Sequence, residues 1–263
     1  MRTQQERAAA FRALHEGDPF VIPNPWDGGS ARALAALGFE ALATTSSGLA
    51  FTLGRRDGTV TLDEVETHTR LLVGAADLPV SVDLENGYGP EPEAAALAIE
   101  RVAEAGAVGG SIEDYDPAGR IYERDHAVER VGAAAEAARR LDFPFLLTAR
   151  AENHIRGVTD LDDTIERLRA FEQAGADVLY APGLRTLDDV RTVCSAVAKP
   201  VNVLARPSFS FAELADAGAQ RVSVGGALTW VAADAFAAAA TAMRDRGDFS
   251  PLAARPPLDE WLP

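Results

Sequence analysis

The sequence predicts a (β/α)8 barrel, and three observations lead to this fold class. Eight short apolar or β-branched segments alternate with longer Ala-rich segments that have the period of an amphipathic helix. The short segments are nearly continuous in apolar residues, as strands are when helices cover both faces of a parallel sheet. The chain has 263 residues, close to the roughly 250 residues typical of this barrel. An open doubly wound sheet is the alternative, but no GxGxxG sequence follows the first segment.

Turn and capping residues set the boundaries of the predicted elements. Ser30 and Thr61 are good N-caps, and Gly directly follows several predicted helices. After an opening helix over 3–15, the predicted strands cover 19–23, 40–45, 79–83, 107–113, 144–150, 177–181, 200–204 and 220–225. The helices predicted to follow them cover 30–37, 62–73, 92–105, 125–141, 161–174, 187–197, 211–217 and 229–245.

The whole chain, 1–263, is expected to form a single barrel domain with an N-terminal helix and a Pro-rich C-terminal tail. The tail reads SPLAARPPLDEWLP, and its prolines prevent it from continuing the last helix. We expect the tail to pack across a neighbouring subunit.

The charge balance excludes several classes of partner. The 25 Lys and Arg residues are outnumbered by 40 Asp and Glu residues, which gives a net charge of −15. Binding to nucleic acid or to an anionic membrane relies on Lys and Arg, so neither partner is predicted. No segment has the length and apolar character of a membrane span or a secretory signal. Cys194 is the sole cysteine, which fits a reducing compartment, and we expect a cytoplasmic protein.

Carboxylates follow two neighbouring strands of the predicted barrel. Asp83 and Glu85 lie two residues apart after the third strand, so their side chains point to the same side, and Glu113 ends the fourth strand. Each pair of these acids would repel by about 4 kcal/mol at an effective dielectric constant near 20. Shared protons would relieve this repulsion, and a divalent cation with oxygen ligands, Mg²⁺ or Mn²⁺, would relieve it better. The alternative is that the three acids are solvated loop residues.

Groups that bind anions lie on the same predicted rim. Arg150 ends the fifth strand, and its guanidinium matches a carboxylate or a phosphonate with two hydrogen bonds. The alternative for Arg150 is a salt bridge to Glu113 or Glu152. Residues 46–49, which follow the second strand, either present backbone N–H groups to an anion or form a plain turn. Asn202 belongs to the seventh strand and is a further candidate for substrate contact.

The segment after the fourth strand has the composition of a mobile lid. It reads DYDPAGRIYERDH and contains Pro117 and Gly119. Tyr115 and Tyr122 are its uncharged proton donors and therefore its candidates for acid/base chemistry. The alternative for both tyrosines is ordinary packing.

Five segments carry a family resemblance. NPWD, TSSGLAFTLGRRDG, VDLENGYG, SIED and TARAEN follow strands one to five in this order. Together they resemble the isocitrate lyase/phosphoenolpyruvate mutase superfamily over nearly the whole chain. The resemblance implies a (β/α)8 barrel whose eighth helix is swapped between paired subunits, and a homo-oligomer that is a dimer or a tetramer. It also implies Mg²⁺ (or Mn²⁺) and a small carboxylic acid substrate.

The resemblance implies a metal-binding role for the three acids. Glu85 would bind the cation directly, and Asp83 and Glu113 would hold its water molecules. The family usually has Asp where Glu85 stands, and Glu keeps the charge but reaches one methylene further.

The resemblance also implies roles in substrate binding and catalysis. Ser47, Gly48 and Leu49 would hold the substrate carboxylate or oxyanion. Arg150 would bind the carboxylate or the leaving group, and Asp57 would lie near the metal and the substrate.

The lid segment departs from the family pattern. Lyases of the family carry a K-K-C-G-H motif after strand four, whose cysteine acts as acid/base, and mutases carry a longer loop with an essential asparagine. This chain has neither, and Tyr180-Ala181-Pro182 follows strand six where the lyases have a glutamate. Chemistry of the isocitrate lyase type and phosphoryl migration are therefore both put in doubt.

These observations favour a Mg²⁺-dependent lyase or decarboxylase. It would cleave a C–C bond of a small α-keto or α-hydroxy acid, similar to oxaloacetate or a substituted malate, through a metal-stabilised enolate. Decarboxylation needs an electron sink but no base, so it tolerates the missing cysteine. Two alternatives stay open: a P–C bond enzyme similar to phosphoenolpyruvate mutase or phosphonopyruvate hydrolase, and a barrel that binds a metabolite without catalysis.

Overall fold

Eight parallel strands form a nearly closed barrel in the computed structural model, which describes residues 1–262. The described residues form ten strands in all: β1 (Phe20–Ile22), β2 (Leu42–Ala43), β3 (Val80–Asp83), β4 (Gly109–Glu113), β5 (Tyr115–Asp116), β6 (Arg120–Ile121), β7 (Leu146–Arg150), β8 (Val178–Tyr180), β9 (Val201–Leu204) and β10 (Arg221–Ser223). β5 and β6 pair separately as an antiparallel hairpin. The barrel order is β1-β10-β9-β8-β7-β4-β3-β2, and Ala43 N donates to Pro23 O at 3.0 Å to join its two ends. The predicted fold class is confirmed.

Helices surround the barrel between successive strands. They are α1 (Gln4–Glu16), α2 (Gly28–Ala36), α3 (Ser46–Thr52), α4 (Leu62–Ala75), α5 (Pro92–Glu104), α6 (Arg124–Arg139), α7 (Leu161–Ala174), α8 (Leu187–Ala196), α9 (Phe211–Asp216), α10 (Ala227–Arg246) and α11 (Leu258–Trp261). A 3₁₀ turn, Ser250–Ala253, follows α10. None of the helices within residues 1–262 combines the length and apolar character needed to cross a bilayer.

Capping explains where α2 and α4 begin. Thr61 caps α4, as predicted, and its hydroxyl accepts from Glu64 N while the Glu64 side chain accepts from Thr61 N. Ser30 was the predicted N-cap of α2, and this prediction is wrong by three residues. Asp27 is the cap because its carboxylate accepts from Ser30 N at 2.7 Å, and Ser30 Oγ accepts from Asp27 N at 3.0 Å.

The apolar core lies mostly between the sheet and the helices around it. A second cluster lies at the amino ends of the strands, where Phe11 of α1 packs with Phe20, Ile22 and Leu146. Helix α1 therefore closes that end of the barrel. The carboxyl ends of the strands stay open, and that end is where the site lies.

Two elements were not predicted, and the tail contains a short helix. Helix α3 occupies the segment expected to be an anion-binding loop or a turn, and the β5–β6 hairpin lies within the lid segment. The tail forms a 3₁₀ turn and the short helix α11, which contacts α2. The four apolar and acidic residues of α11 follow the prolines, so a helical turn can form there.

Candidate active site

The carboxyl ends of β3, β4 and β7 bring the predicted acids and Arg150 together. Glu113 and Arg150 are register partners at the ends of β4 and β7, and Asp83 ends β3 beside Ser111 of β4. One Arg150 nitrogen lies 2.8 Å from Asp83 Oδ1, and another lies 2.9 Å from Glu113 Oε2. Residues distant in the sequence therefore meet at one rim because parallel strands end on the same side of the barrel.

Arg150 has a third carboxylate partner in Glu152. Arg150 Nη2 lies 2.9 Å from Glu152 Oε1, and Nε donates to the same oxygen at 3.0 Å. Burial opposes the charge on Arg150, but Glu152, Glu113 and Asp83 outweigh it and raise the pKa of the guanidinium. Both salt bridges named as the alternative for Arg150 form. In this structure the positive charge of Arg150 is paired with the rim acids.

Burial raises the pKa of Glu113, and the charge of Arg150 offsets only part of this effect. Glu113 is nearly enclosed, with 7% of its surface exposed. Its second oxygen lies 3.4 Å from Arg156 Nη2. Glu113 therefore lies between two arginine side chains and is largely shielded from solvent.

Glu85 is a partly buried acid of the rim that has no cationic partner among the described residues. Its φ of 47° lies in the left-handed region, which is strained for a residue with a side chain. Burial raises the pKa of Glu85 to about 7, and the nearby charges of Asp83 and Asp57 add to this effect. Glu85 Oε1 is buried and has no hydrogen-bond partner among the described residues.

The lid hairpin covers one side of the rim. Tyr115, at its start, stacks under the Arg156 guanidinium, which lies 3.6 Å from the ring centre. Tyr115 also lines the rim cavity, whereas Tyr122 is buried and its hydroxyl accepts from Asn86 Nδ2 at 3.1 Å. Of the two candidate tyrosines, Tyr115 is the one that faces the cavity.

The residues of α3 contribute less than predicted. Ser47 lines the barrel cavity, and its Oγ lies 3.0 Å from Thr45 Oγ1. Gly48 and Leu49 are buried, and their N–H groups already donate to Thr45 Oγ1 and Thr45 O at the start of α3. A Cβ at Gly48 would lie 2.6 Å from Thr45 Cγ2. Gly48 is therefore needed for close packing, and of this trio only Ser47 faces the cavity.

Asp57 and Asn202 lie at opposite ends of the barrel cavity, which has a volume of about 210 Å³. Asp57 is exposed on the loop after α3 and lines the rim. Asn202 is buried in the floor, where its Nδ2 donates to Ser223 Oγ at 3.0 Å. Asn202 Oδ1 accepts from Arg221 Nε at 2.8 Å, so this amide is engaged with protein groups on both sides.

The chemistry of the rim fits a divalent cation. A rim cavity of about 390 Å³ is lined by four carboxylates and two guanidinium groups. These groups belong to Asp57, Glu85, Glu113, Glu152, Arg150 and Arg156. Negative charge is in excess there, and the unpartnered Glu85 oxygen is a hard ligand of the type that Mg²⁺ prefers. Among residues 1–262, no three His, Cys, Asp or Glu side chains are grouped as a ready metal cage. A cation bound by Asp83 and Glu85 would neutralise Asp83 together with Arg150 and would give Glu85 a positive partner.

Comparison with known proteins assigns the family. The family model described as Phosphoenolpyruvate phosphomutase matches residues 11–244. The chain belongs to the phosphoenolpyruvate phosphomutase family. An oxaloacetate decarboxylase from Rhodopseudomonas palustris is 32% identical over 259 residues, 92% of this chain and 86% of that protein. A 2-methylisocitrate lyase from Escherichia coli is 31% identical over 203 residues, 73% of this chain and 67% of that protein.

A solved structure from Burkholderia cenocepacia, described as a lyase/mutase, is similar to this phosphoenolpyruvate phosphomutase family member over nearly its whole length. It is 53% identical, has a TM-score of 0.94, and the match covers 98% of this chain and 95% of that chain. The predicted resemblance and the prediction of an enzyme of this superfamily are confirmed. The roles of the individual site residues stay predictions.

Sequence reasoning gave no role to three residues of this family member's site. Arg156 and Tyr180 flank Arg150, whose guanidinium carbon lies 5.4 Å from the centre of the Tyr180 ring. Arg221 lines the cavity floor. A signal for Arg221 was available, because it is a charged residue within an apolar strand and alternates with Ser223 on the inward face. No comparable pattern marks Arg156, which depends on how the loop after β7 folds back.

Proposed function

We propose that this protein is a Mg²⁺- or Mn²⁺-dependent lyase or decarboxylase that cleaves a C–C bond of a small α-keto or α-hydroxy acid, similar to oxaloacetate or a substituted malate. The observation that carries the proposal is the rim, where Asp83, Glu85 and Glu113 surround Arg150. The relatives named as a decarboxylase and a lyase support carbon–carbon chemistry on this scaffold.

The residues of the rim would bind and orient the substrate. A bound divalent cation would polarise the substrate carbonyl and stabilise the negative charge that develops as the neighbouring bond breaks. Asp83, Glu85 and Glu113 would hold it, directly or through water. Because that cation would share the acids that pair with Arg150, the guanidinium would become available to orient the substrate carboxylate.

Proton transfer would fall to Asp57 or Tyr115. Asp57 lines both the barrel cavity and the rim cavity, and Tyr115 lines the rim cavity from the lid. A retro-aldol cleavage needs a base on a hydroxyl group, for which Asp57 is placed at the cavity mouth. A decarboxylation needs no base, and Tyr115 would then deliver a proton to the carbon that loses CO₂.

The test is a panel assay with metal binding measured in parallel. Release of pyruvate or glyoxylate from oxaloacetate, malate and substituted malates would be followed with Mg²⁺ or Mn²⁺, and Mg²⁺ affinity would be measured by calorimetry. We expect Asp83→Ala to lower both turnover and Mg²⁺ affinity, and the exposed control Asp188→Ala to change neither. Absence of release with both metals would refute the lyase proposal. Unchanged Mg²⁺ binding in Asp83→Ala would refute the metal assignment.

Two other functions are outcomes of the same experiment. The family model is named for a phosphomutase, so phosphonopyruvate is included and followed by ³¹P NMR, where a new phosphorus signal would indicate P–C chemistry. Binding of Mg²⁺ and carboxylates with no turnover of any acid would indicate a metabolite-binding barrel.

We also propose that the protein is a cytoplasmic homo-oligomer that exchanges α10 between subunits. Within residues 1–262, the element that contacts α10 most is the 3₁₀ turn that directly follows it. Phe236 is 75% exposed and Val231 is 67% exposed on this helix. Large apolar side chains at such exposure are typical of a surface that another subunit covers.

A further inference from the structure

The interior of the barrel is polar at the level below the rim. Barrel interiors are usually filled by branched apolar side chains. Here Asn202, Arg221 and Ser223 line the cavity floor, and Thr148 on β7 contacts Arg221. The same cavity reaches the rim at Arg150. A ligand bound at the rim therefore has a polar space beneath it.

Arg221 is the charged group of this floor, and its contacts are with uncharged groups. Its Nε donates to Asn202 Oδ1 at 2.8 Å, and its Nη2 donates to Thr148 Oγ1 at 2.9 Å. Its Nη1 lies 3.2 Å from His15 Nε2. A guanidinium has five N–H donors, so two N–H groups remain beyond these three contacts.

His15 does not supply a compensating charge. Its Nδ1 lies 2.8 Å from Phe11 O, and since a carbonyl only accepts, Nδ1 carries the proton and Nε2 accepts from Arg221. Burial and the neighbouring Arg221 charge lower the pKa of His15 to about 3. The histidine is therefore neutral and serves as an acceptor.

Arg221 thus lacks the acidic partners that the other arginines of the site have. Arg150 pairs with Asp83, and Arg167 on α7 pairs with Asp114. Burial lowers the pKa of Arg221 only to about 10, so it stays charged at neutral pH, and it is 5% exposed. A buried charge without a partner costs several kcal/mol. An anionic ligand would offset that cost.

The spacing fits a second carboxylate of the substrate. Thr148, which contacts Arg221, lies two residues before Arg150 on β7, about 6–7 Å along the strand. The terminal carboxyl carbons of a four- or five-carbon acid lie about 4–5 Å apart when the chain is extended. With hydrogen bonds of about 2.8 Å at each end, one carboxylate can lie at the rim while the other reaches Arg221.

We propose that Arg221 binds the distal carboxylate of the substrate and so selects short dicarboxylic acids over monocarboxylic acids. This inference rests on the proposed function, which places the reacting end of the acid at the rim. Arg221 acts as a specificity-determining residue, and Thr148, Asn202 and His15 position it.

The test compares the binding of two ligands that the proposed reaction cannot cleave. Succinate and butyrate share a four-carbon chain, and butyrate has a methyl group in place of one carboxylate. Their affinities are measured by calorimetry with Mg²⁺ present. Because a hydrogen-bonded charge pair is worth about 1.5–3 kcal/mol, we expect the wild type to bind succinate about ten- to a hundredfold more tightly. Arg221→Met should abolish this preference, and the exposed control Arg206→Met should keep it.

Folding of the variant is monitored by Tm. Since Arg221→Met removes an unpaired buried charge, we expect its ligand-free Tm to equal or exceed that of the wild type. Should that variant fail to fold, Arg221→Lys keeps the charge but loses the planar donor pair, and we expect it to retain only part of the preference. A wild type that binds both ligands equally overturns the proposal whatever the variants do, as does a folded Arg221→Met that still prefers succinate.

Formate binding distinguishes a free carboxylate anion from the distal carboxylate of the substrate as the group that Arg221 holds. If formate binds in an Arg221-dependent way while succinate has no advantage over butyrate, the floor takes a free anion, and the proposal for the substrate is wrong. All of these measurements report binding. A preference for succinate in a protein that turns over no acid would refute the proposed function and leave the assignment of Arg221 standing.

Discussion

Replacing Glu85 by Gln is expected to stabilise the metal-free protein at pH 8 and to leave its stability unchanged at pH 4. The pKa of Glu85 in the folded protein is about 7, compared with an ordinary value of 4.5. The unfolded chain therefore loses this proton first as pH rises. The ionisation of Glu85 therefore lowers the free energy of unfolding progressively between roughly pH 4.5 and pH 7, and this loss is complete above pH 7. A Gln at this position never ionises and avoids the penalty.

The magnitude follows from the difference between the two pKa values. One pKa unit corresponds to about 1.4 kcal/mol, so the penalty at pH 8 reaches about 3 kcal/mol. For a domain of this size that corresponds to a rise in Tm of roughly 6–12 °C for Glu85→Gln. Gln has the same backbone constraints as Glu at a positive φ, so the strain at residue 85 is the same in both proteins.

The assay is thermal unfolding at pH 4 and pH 8, with and without Mg²⁺. The exposed residue Glu104, changed to Gln, is the control and should shift stability by no more than about 0.5 kcal/mol. Added Mg²⁺ should stabilise the wild type at pH 8 and reduce or reverse the advantage of Glu85→Gln. A Tm difference that is the same at both pH values, or is absent at pH 8, would refute the electrostatic reasoning.

Three further perturbations test other parts of the site and its assembly. Arg150→Met leaves buried acids without their partner and should lower the free energy of unfolding by about 3–5 kcal/mol in a denaturant titration; an unchanged midpoint would contradict the rim ion pairs. Tyr115→Phe should lower kcat by about 10²–10⁴-fold with little change in KM, whereas Tyr122→Phe should affect stability alone; equal effects of both on kcat would remove Tyr115 from the mechanism. Phe236→Asp should convert the oligomer to a smaller species in light scattering, and an unchanged mass would contradict the exchange of α10.

Local patterns were sufficient to predict the barrel and its rim. Alternating strand and helix periods depend on neighbouring residues alone, and the parallel order follows from the helix between each pair of strands. Asp83, Glu113 and Arg150 could be placed on one rim because each ends a predicted strand. The boundaries of α2 were less predictable, since both Asp27 and Ser30 are good caps and the choice between them depends on hydrogen bonds in three dimensions.

The charge pairing at the rim could not be predicted in the same way. Sequence spacing brought Arg150 near several acids, but the distances to Asp83, Glu113 and Glu152 depend on the register of three strands and on the loop after β7. Those pairings leave Glu85 as a partly buried rim acid without a cationic partner. The engagement of Gly48 and Leu49 could not be predicted either, because their N–H groups are used within the chain once α3 forms.

The sequence alone determined which chemical groups this protein carries and at which strand ends they lie. It fixed the fold class through periodicity and the family through motifs that are contiguous in the chain. Only the tertiary structure decided which charges are paired, which are buried and which face a cavity. The reason is that burial and pairing depend on contacts across the closed barrel, such as those of Arg221 with Thr148 and His15, which lie far from it in the chain.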